Sequence, residues 1–237
     1  MKFSEPHAEN RPPWHARELM DFTPYLDGLR YMRRDRRLMA TMLVKAAFGA
    51  LGIHWVVVPL FGEKVFPLFR PGYTAEQAGL LAMSVLMCAR GLGAMAGPAI
   101  AGAWAGSDPV KLRATIGLGF ALMGVGYLGL AVAPSLLLAC LGLVVMAAGA
   151  SSAWTFSTTL LQLQTEDRFR GRVFSADFSL LLFNMAAMSY VAGVLVDRGW
   201  SVRVLSLLAG FGASVPTLLW WRAQRLWRES ADAGESL

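Results

Sequence analysis

Long apolar stretches separated by short polar segments occupy most of the chain from residue 38 onward. A helix needs about 20 mostly apolar residues to cross the hydrocarbon core of a bilayer, and six stretches approach or exceed that length. They are residues 38–61, 77–105, 114–133, 135–163, 173–196 and 204–221. Pro134 separates the third from the fourth, and Ser135 after it is a natural helix N-cap. The pattern predicts an all-α membrane domain of six transmembrane helices over residues 38–221.

The two ends of the chain are polar and lie outside the predicted spans, at residues 1–37 and 222–237. The first segment begins with a Pro-rich stretch, and its apolar residues then recur at helical spacing opposite charged ones. These apolar residues are Tyr25, Leu26, Leu29 and Met32. Such a pattern predicts a short amphipathic helix on the membrane surface, with recognition of a partner helix as the alternative.

Composition supports the membrane assignment. Hydrophobic residues make up 55% of the 237 positions and charged residues 16%, whereas soluble domains are about 25% charged. The net charge of +6 does not indicate nucleic-acid binding, because the basic residues form no continuous face. Cys88 and Cys140 are too isolated for a disulfide framework or a metal site. The first apolar run begins only at Leu38, so we expect no secretory signal peptide.

Orientation follows from the basic residues that flank the spans, since cytoplasmic loops are enriched in Lys and Arg. Thirteen lie on one side: Arg30, Arg33, Arg34, Arg36, Arg37, Lys111, Arg113, Arg168, Arg170, Arg172, Arg222, Arg225 and Arg228. Four lie on the other: Lys64, Arg70, Arg198 and Arg203. The count predicts a multi-pass protein of the plasma (inner) membrane with both termini in the cytoplasm.

Three charged residues and one histidine lie inside the predicted spans. Arg90 is near a span midpoint, where a charge costs at least about 2.5–3.5 kcal/mol, so it needs a partner, a water-filled cavity or a bound anion. A helix rises about 1.5 Å per residue, which leaves Arg90 about 15 Å from the level of Asp177. We therefore expect Asp177 to pair with Lys45 or Arg172 near the cytoplasmic end, with snorkelling of Lys45 as the alternative. His54 is either a packed residue or part of a proton relay.

Small residues recur along the second span at Gly93, Gly97, Gly102 and Gly106. Such residues let helix backbones approach closely in lipid, and Pro98 should kink the helix. The ends of the second and fifth spans also share a faint pattern. It consists of Ala101-Gly102 with Asp108 and Arg113, and of Ala192-Gly193 with Asp197 and Arg203. A repeat of this kind predicts two three-helix units in inverted orientation.

Two segments resemble the major facilitator superfamily. Residues 102–113 (GAWAGSDPVKLR) resemble a degenerate form of its cytoplasmic signature. Residues 161–175 (LQLQTEDRFRGRVFS) are similar to the glutamine-to-Arg-Gly-Arg loop of its drug and siderophore exporter branch. The resemblance implies the carboxy-terminal half of a twelve-helix permease, with a 3+3 inverted repeat and residues 1–37 similar to the linker between halves.

In such permeases the first and fourth helices of each half line the central cavity, and the second and fifth face the other half. The resemblance therefore implies a cavity among His54, Ser151, Trp154, Thr155, Thr158 and Gln162. Arg90 on the second span is a further cavity candidate, because a charge at its depth needs a partner, water or an anion. A cytoplasmic gate would comprise Lys45, Asp108, Lys111, Arg113, Arg170, Arg172 and Asp177. Hydrogen bonding between helices is the competing explanation for the polar residues of the fourth span.

These features favour ion-coupled export of amphipathic small molecules through half of a secondary transporter. The alternative is a truncated or non-transporting subunit that associates with another transporter half. Expected partners are the lipid bilayer, a small-molecule substrate, and either a separate amino-terminal half or a second copy of the chain. We expect no enzymatic activity, cofactor, metal or nucleic acid, because catalytic serine-histidine pairs, clustered metal ligands and phosphate-binding loops are not evident.

Overall fold

The computed structural model describes residues 23–106 and 108–234, and every regular element within those ranges is helical. The α-helices are α1 (Thr23–Arg34), α2 (Arg36–Ala46), α3 (His54–Leu60), α4 (Ala75–Ala105), α5 (Pro109–Val132), α6 (Leu136–Gln164), α7 (Asp167–Asp197), α8 (Val202–Gly212) and α9 (Ser214–Gly234). A 3₁₀ segment (Ala47–Ile53) joins α2 to α3, and a π turn (Phe61–Val65) follows α3.

Six helical segments are long and apolar enough to cross a bilayer. Spans 1 to 6 are Arg37–Val65, Ala75–Ala105, Pro109–Val132, Leu136–Gln164, Asp167–Asp197 and Val202–Arg225. The predicted all-α class and the six spans are confirmed, and the chain is a multi-pass membrane protein. Span 5 begins at Asp167, six residues before the predicted start at 173, because a polar first turn precedes its apolar stretch.

Span 1 is not the single regular helix that its apolar run predicts. The 3₁₀ segment interrupts it directly after α2, and span 5 donates hydrogen bonds to two carbonyl groups, one just before this segment and one within it. Asn184 Nδ2 donates to the Ala46 carbonyl at 3.2 Å, and Ser189 Oγ donates to the Gly52 carbonyl at 2.7 Å. Irregular backbone is tolerated at membrane depth where neighbouring helices bond its polar groups.

The predicted break between spans 3 and 4 is present. Span 3 ends at Val132, and the Ser135 hydroxyl accepts a hydrogen bond from the Leu138 N–H at 3.4 Å as span 4 begins. Pro98, which is expected to kink span 2, lies inside α4. This helix continues past the proline as one element to Ala105.

Glycine contacts bring spans 2, 3 and 4 together. A Cβ at Gly93 would collide with the Val144 carbonyl, and one at Gly97 with the Ala148 carbonyl, so span 2 approaches the backbone of span 4 there. On the other side of span 4, a Cβ at Gly119 would lie only 2.6 Å from the Gly149 carbonyl oxygen. Span 4 therefore packs between spans 2 and 3, as small-residue stripes allow.

The glycine stripe of span 2 is shorter than predicted. A Cβ at Gly102 would meet only the far edge of the Phe156 ring, at 3.9 Å. Gly106 has a φ of +52° and follows the last residue of α4, with nothing near its Cβ position. Within the described ranges, neither glycine therefore makes a close approach to the backbone of another span. Gly106 ends the helix, in a backbone conformation that suits a residue without a side chain.

Span 5 lies at the periphery of the bundle. Its contacts are chiefly with span 1, and only 6% of its most apolar stretch is buried, against 61% for span 3. Large side chains such as Phe183 and Tyr190 project outward, at 72% and 75% exposure. This surface faces lipid or another protein, since no neighbouring helix of the described chain covers it.

One end of the bundle, here called the arginine-rich end, carries Arg34, Arg37, Lys111, Arg168, Arg172 and Arg222. Hydrogen bonds connect the helices of this end to one another. The Glu166 N–H donates to the Tyr31 hydroxyl at 3.1 Å, and Trp220 Nε1 donates to the Arg113 carbonyl at 2.8 Å. The predicted amphipathic segment forms α1, whose Met32 is 3% exposed and packs in a small apolar cluster. The side chains of Tyr25, Leu26 and Leu29 and the Pro-rich stretch before residue 23 lie outside the described part.

Candidate functional site

An ion pair buried among spans 1, 4 and 5 forms the candidate site. Lys45 lies in the last turn of α2, and its Nζ is 2.6 Å from Oδ2 of Asp177 on α7. The same Nζ donates to Thr158 Oγ1 on α6 at 3.1 Å and lies 4.3 Å from the centre of the Trp154 ring. The predicted pairing of Lys45 with Asp177 is confirmed, and snorkelling of Lys45 to the surface is not observed.

Both charged side chains of this pair are buried. The Lys45 side chain is 1% exposed and that of Asp177 is 4% exposed. Removing two ions from water costs several kcal/mol each, and only close geometry with further hydrogen bonds offsets that cost. The Thr158 hydroxyl and the π face of Trp154 provide such contacts to the ammonium group. The pair and its Thr158 contact therefore join α2, α6 and α7. Moving α7 away from α2 must break the Lys45–Asp177 ion pair.

Aromatic packing fixes the position of the Trp154 ring. Phe48, in the 3₁₀ segment, meets it edge-on with ring centres 5.7 Å apart, and Phe120 of span 3 lies 4.7 Å behind Phe48. The centre of the Phe174 ring, on span 5, lies 5.8 Å from Lys45 Nζ. The rings of Trp154 and Phe174, from spans 4 and 5, thus lie next to the ammonium group, and this apolar surrounding lowers the local dielectric constant.

A second contact between spans 1 and 4 lies nearer the arginine-rich end. The Thr41 hydroxyl is completely buried and donates to Gln164 Oε1 at 2.9 Å. Together with the Lys45–Thr158 bond it joins the first three turns of span 1 to the last two turns of span 4. This end of the bundle is therefore closed by polar contacts rather than by apolar packing alone.

The polar residues predicted to line a cavity in span 4 share one helix face. They are Ser151, Trp154, Thr155, Thr158 and Gln162, at spacings of three and four residues. Thr155 and Gln162 are exposed, whereas Ser151, Trp154 and Thr158 are partly buried. The remaining hydroxyls of this stretch donate to carbonyl groups of their own helix, as Ser152 does to Ala148 at 2.7 Å. An open uncharged polar stripe thus runs beside the buried ion pair.

Arg90 lies against an aromatic ring of span 1. Its Cζ is 5.8 Å from the centre of the Trp55 ring, and the His54 ring meets Trp55 edge-on at 5.7 Å. His54 is 3% exposed, and neither of its ring nitrogens has a hydrogen-bond partner in the described structure; the same holds for the buried hydroxyl of Tyr127. Arg90 lies close enough to both groups for its charge to act on them. These residues form a polar layer at mid-membrane, separate from the Lys45–Asp177 pair.

Three predicted gate residues cluster instead around the start of α5. Asp108 caps this helix, because its Oδ1 accepts from the Val110 N–H at 2.8 Å. Lys111 lies 5.9 Å from the centre of the Trp104 ring. The carbonyl of Arg113 accepts from α9 through Trp220. These contacts fix the ends of α4, α5 and α9, and they do not involve Lys45 or Asp177.

The other two predicted gate residues lie at the start of span 5. Arg170 pairs with Asp167 one helical turn earlier, at 2.6 Å, and both side chains are exposed. Arg172 is also exposed and lies 5.7 Å from the centre of the Phe169 ring. The alternative pairing of Arg172 with Asp177 does not occur, because Asp177 bonds to Lys45.

Sequence reasoning missed the polar contacts of span 5 with the irregular part of span 1. Asn184 and Ser189 interrupt an apolar run, and Gly49 and Gly52 lie opposite them, where a Cβ would collide with Asn184 and with the Met185 carbonyl. Isolated polar residues in a span facing isolated glycines could have indicated this contact. Thr41 and Gln164 were missed because each lies at the edge of its apolar run.

No group of three or more His, Cys, Asp or Glu residues suited to a metal ion occurs within the described ranges. Comparisons with protein-family models, curated proteins and solved structures gave no match to this chain.

Proposed function

We propose that this chain moves small amphipathic molecules across the plasma membrane as half of a major facilitator-type secondary transporter, coupled to an ion gradient. The observation that carries the proposal is the Lys45–Asp177 pair at 2.6 Å, buried inside a membrane bundle. Ionisable residues at membrane depth are costly and are characteristic of substrate and ion pathways.

The position of the pair supports a conformational role. Lys45 lies two residues before the 3₁₀ segment, and short 3₁₀ stretches within a longer helix often mark hinges. Transporters commonly place their binding sites at interrupted helices. Opening the arginine-rich end would require span 5 to move away from span 1, which breaks the pair and exposes Asp177 to water and protons. The adjacent stripe of Thr155, Thr158 and Gln162 offers a neutral polar surface to a substrate.

Proteoliposomes test the proposal. The purified chain is reconstituted alone, and also together with a candidate amino-terminal half where an adjacent reading frame encodes one. The vesicles are loaded with fluorescent amphipathic cations, and a proton gradient is imposed across their membrane. We expect flux from the wild type, loss of flux in Asp177→Asn and in Arg90→Ala, and unchanged flux in Arg170→Gln, whose side chain is exposed. A folded wild-type chain that moves no probe in either format would overturn the proposal.

A non-transporting subunit is the second candidate, and the exposure of span 5 favours it. A face that buries only 6% of its apolar stretch could bind another transporter half or a second copy of this chain. Disulfide cross-linking from Cys introduced at Phe183 separates the candidates. Efficient cross-links without any probe flux would favour the subunit, and flux from a monodisperse single chain would exclude it.

A further inference from the structure

A cavity of about 310 Å³ lies among spans 1, 3, 5 and 6, at membrane depth. Span 5 contributes Asn184, Ala187 and Met188, which share one helix face, and span 1 contributes Ala46 and Ala47. The Lys45–Asp177 pair and the polar stripe of span 4 contribute no residue to this lining. The cavity is therefore distinct from the candidate site described above.

The packing of span 5 explains why a cavity remains here. Span 5 contacts chiefly span 1, to which Asn184 and Ser189 donate hydrogen bonds. Across the cavity, span 6 presents the small residues Ala209, Gly212 and Ala213. Their side chains are too short to reach span 5, so the two spans lie beside each other without closing the space between them.

The cavity opens toward the bilayer. Ala187 is exposed and Val215 of span 6 is 57% exposed, and both lie well inside their spans. A transmembrane helix, which is about 10–12 Å across with its side chains, would not fit in this space. Cavities of about 300–1,000 Å³ commonly hold small molecules. The occupant is therefore a small molecule or part of a lipid chain that enters from the hydrocarbon core.

One polar atom of the lining distinguishes these two occupants. Asn184 Nδ2 donates to the Ala46 carbonyl at 3.2 Å, and no described residue donates to Asn184 Oδ1. An unmatched acceptor in an apolar site favours a ligand that carries a donor over plain hydrocarbon. Apart from Tyr127, the other lining residues are apolar, and the flexible Met123 and Met188 side chains adapt to different ligand shapes.

We propose that this cavity binds a neutral amphipathic molecule with a hydroxyl or N–H group. That group donates to Asn184 Oδ1, and the apolar body of the molecule packs among spans 3, 5 and 6. The ligand is neutral because no charged residue lines the cavity, and burying an unpaired charge is costly. Binding joins span 5 to spans 3 and 6 and is independent of whether the chain transports anything.

Photolabelling of the purified full chain in phosphatidylcholine nanodiscs tests this inference. The probe is 4-(hydroxymethyl)benzophenone, whose ketone inserts into nearby C–H bonds under ultraviolet light, and tandem mass spectrometry locates the adducts. We expect saturable labelling at Met123 or Met188. The matched probe 4-methylbenzophenone lacks the hydroxyl, and it should need about fivefold higher concentration because it loses one neutral hydrogen bond.

Neighbouring alanines of span 5 supply matched variants. Ala187→Leu fills the cavity and should raise the concentration needed for labelling at least about tenfold. Ala186→Leu makes the same change at the preceding residue, which is also exposed but does not line the cavity, and it should label like the wild type. Size-exclusion profiles check that both variants are folded.

Each outcome supports or overturns the inference. Equal, unsaturable labelling by the two probes would overturn it in favour of a cleft filled by lipid chains. Equal losses in the two leucine variants would also overturn it, as would adducts confined to residues outside the cavity. Should Ala187→Leu fail to fold, the comparison of the two probes on the wild type still decides.

Discussion

Removing one member of the Lys45–Asp177 pair should destabilise the protein far more than removing both. In Asp177→Leu the Lys45 ammonium stays buried at 1% exposure, with Thr158 and the Trp154 ring as its remaining contacts. Breaking a buried pair from one side costs about 3–5 kcal/mol, whereas replacing both ions with apolar residues is often neutral or stabilising. We therefore expect Asp177→Leu and Lys45→Met each to lose stability and the double variant to recover most of it.

The expected effect is large enough to measure on purified protein. For a chain of this size, 1 kcal/mol corresponds to about 2–4 °C in melting temperature, so each single variant should melt about 6–20 °C below the wild type. Far-UV circular dichroism in detergent follows the transition. Asp167→Ala, which breaks an exposed pair, provides the control and should not shift it. Two small, additive losses in the single variants, with no recovery in the double variant, would refute the account of a tightly coupled buried pair.

Three further predictions concern packing, polar contacts and topology. Gly97→Leu should abolish recovery of folded protein, because its side chain would enter the backbone of span 4, whereas Gly102→Leu should be tolerated; size-exclusion profiles compare the two. Asn184→Ala should lower the unfolding free energy by about 1–3 kcal/mol in thermal melts, because it leaves a backbone carbonyl of span 1 without its donor. Cys introduced at Arg168 and at Trp200 should react with impermeant maleimide from opposite sides of the membrane, the former from the cytoplasm.

Specific results would contradict each of these. Similar yields for the two glycine variants would remove the distinction between close and open positions in span 2. An unchanged melting temperature for the asparagine variant would mean that its donor contributes little to the irregular part of span 1. Labelling of both cysteines from the same side would be incompatible with a membrane crossing by span 5.

Periodicity and charge predicted the spans well, because a bilayer requires long apolar runs and excludes most alternatives. The pairing of Lys45 with Asp177 was predictable for the same reason: helical rise sets the depth of each charge. Depth does not set rotation or helix neighbours, so the contacts of Thr158 and Trp154 with Lys45 could not be assigned. The sequence alone favours a continuous helix after Ala46. The irregular backbone there depends on tertiary contacts with Asn184 and Ser189 of span 5.

The bonds from span 5 to the interrupted part of span 1 have a consequence for biosynthesis. Asn184 follows Ala46 by 138 residues, so a ribosome adding about 5–20 residues per second delivers this donor about 7–28 seconds after its acceptor. During that interval the carbonyls of span 1 lie in the membrane without Asn184 and Ser189. We therefore expect span 1 to form a regular α-helix in the nascent chain and to adopt its 3₁₀ segment only when span 5 arrives. On this expectation, span 1 completes its folding only when a helix made much later docks against it.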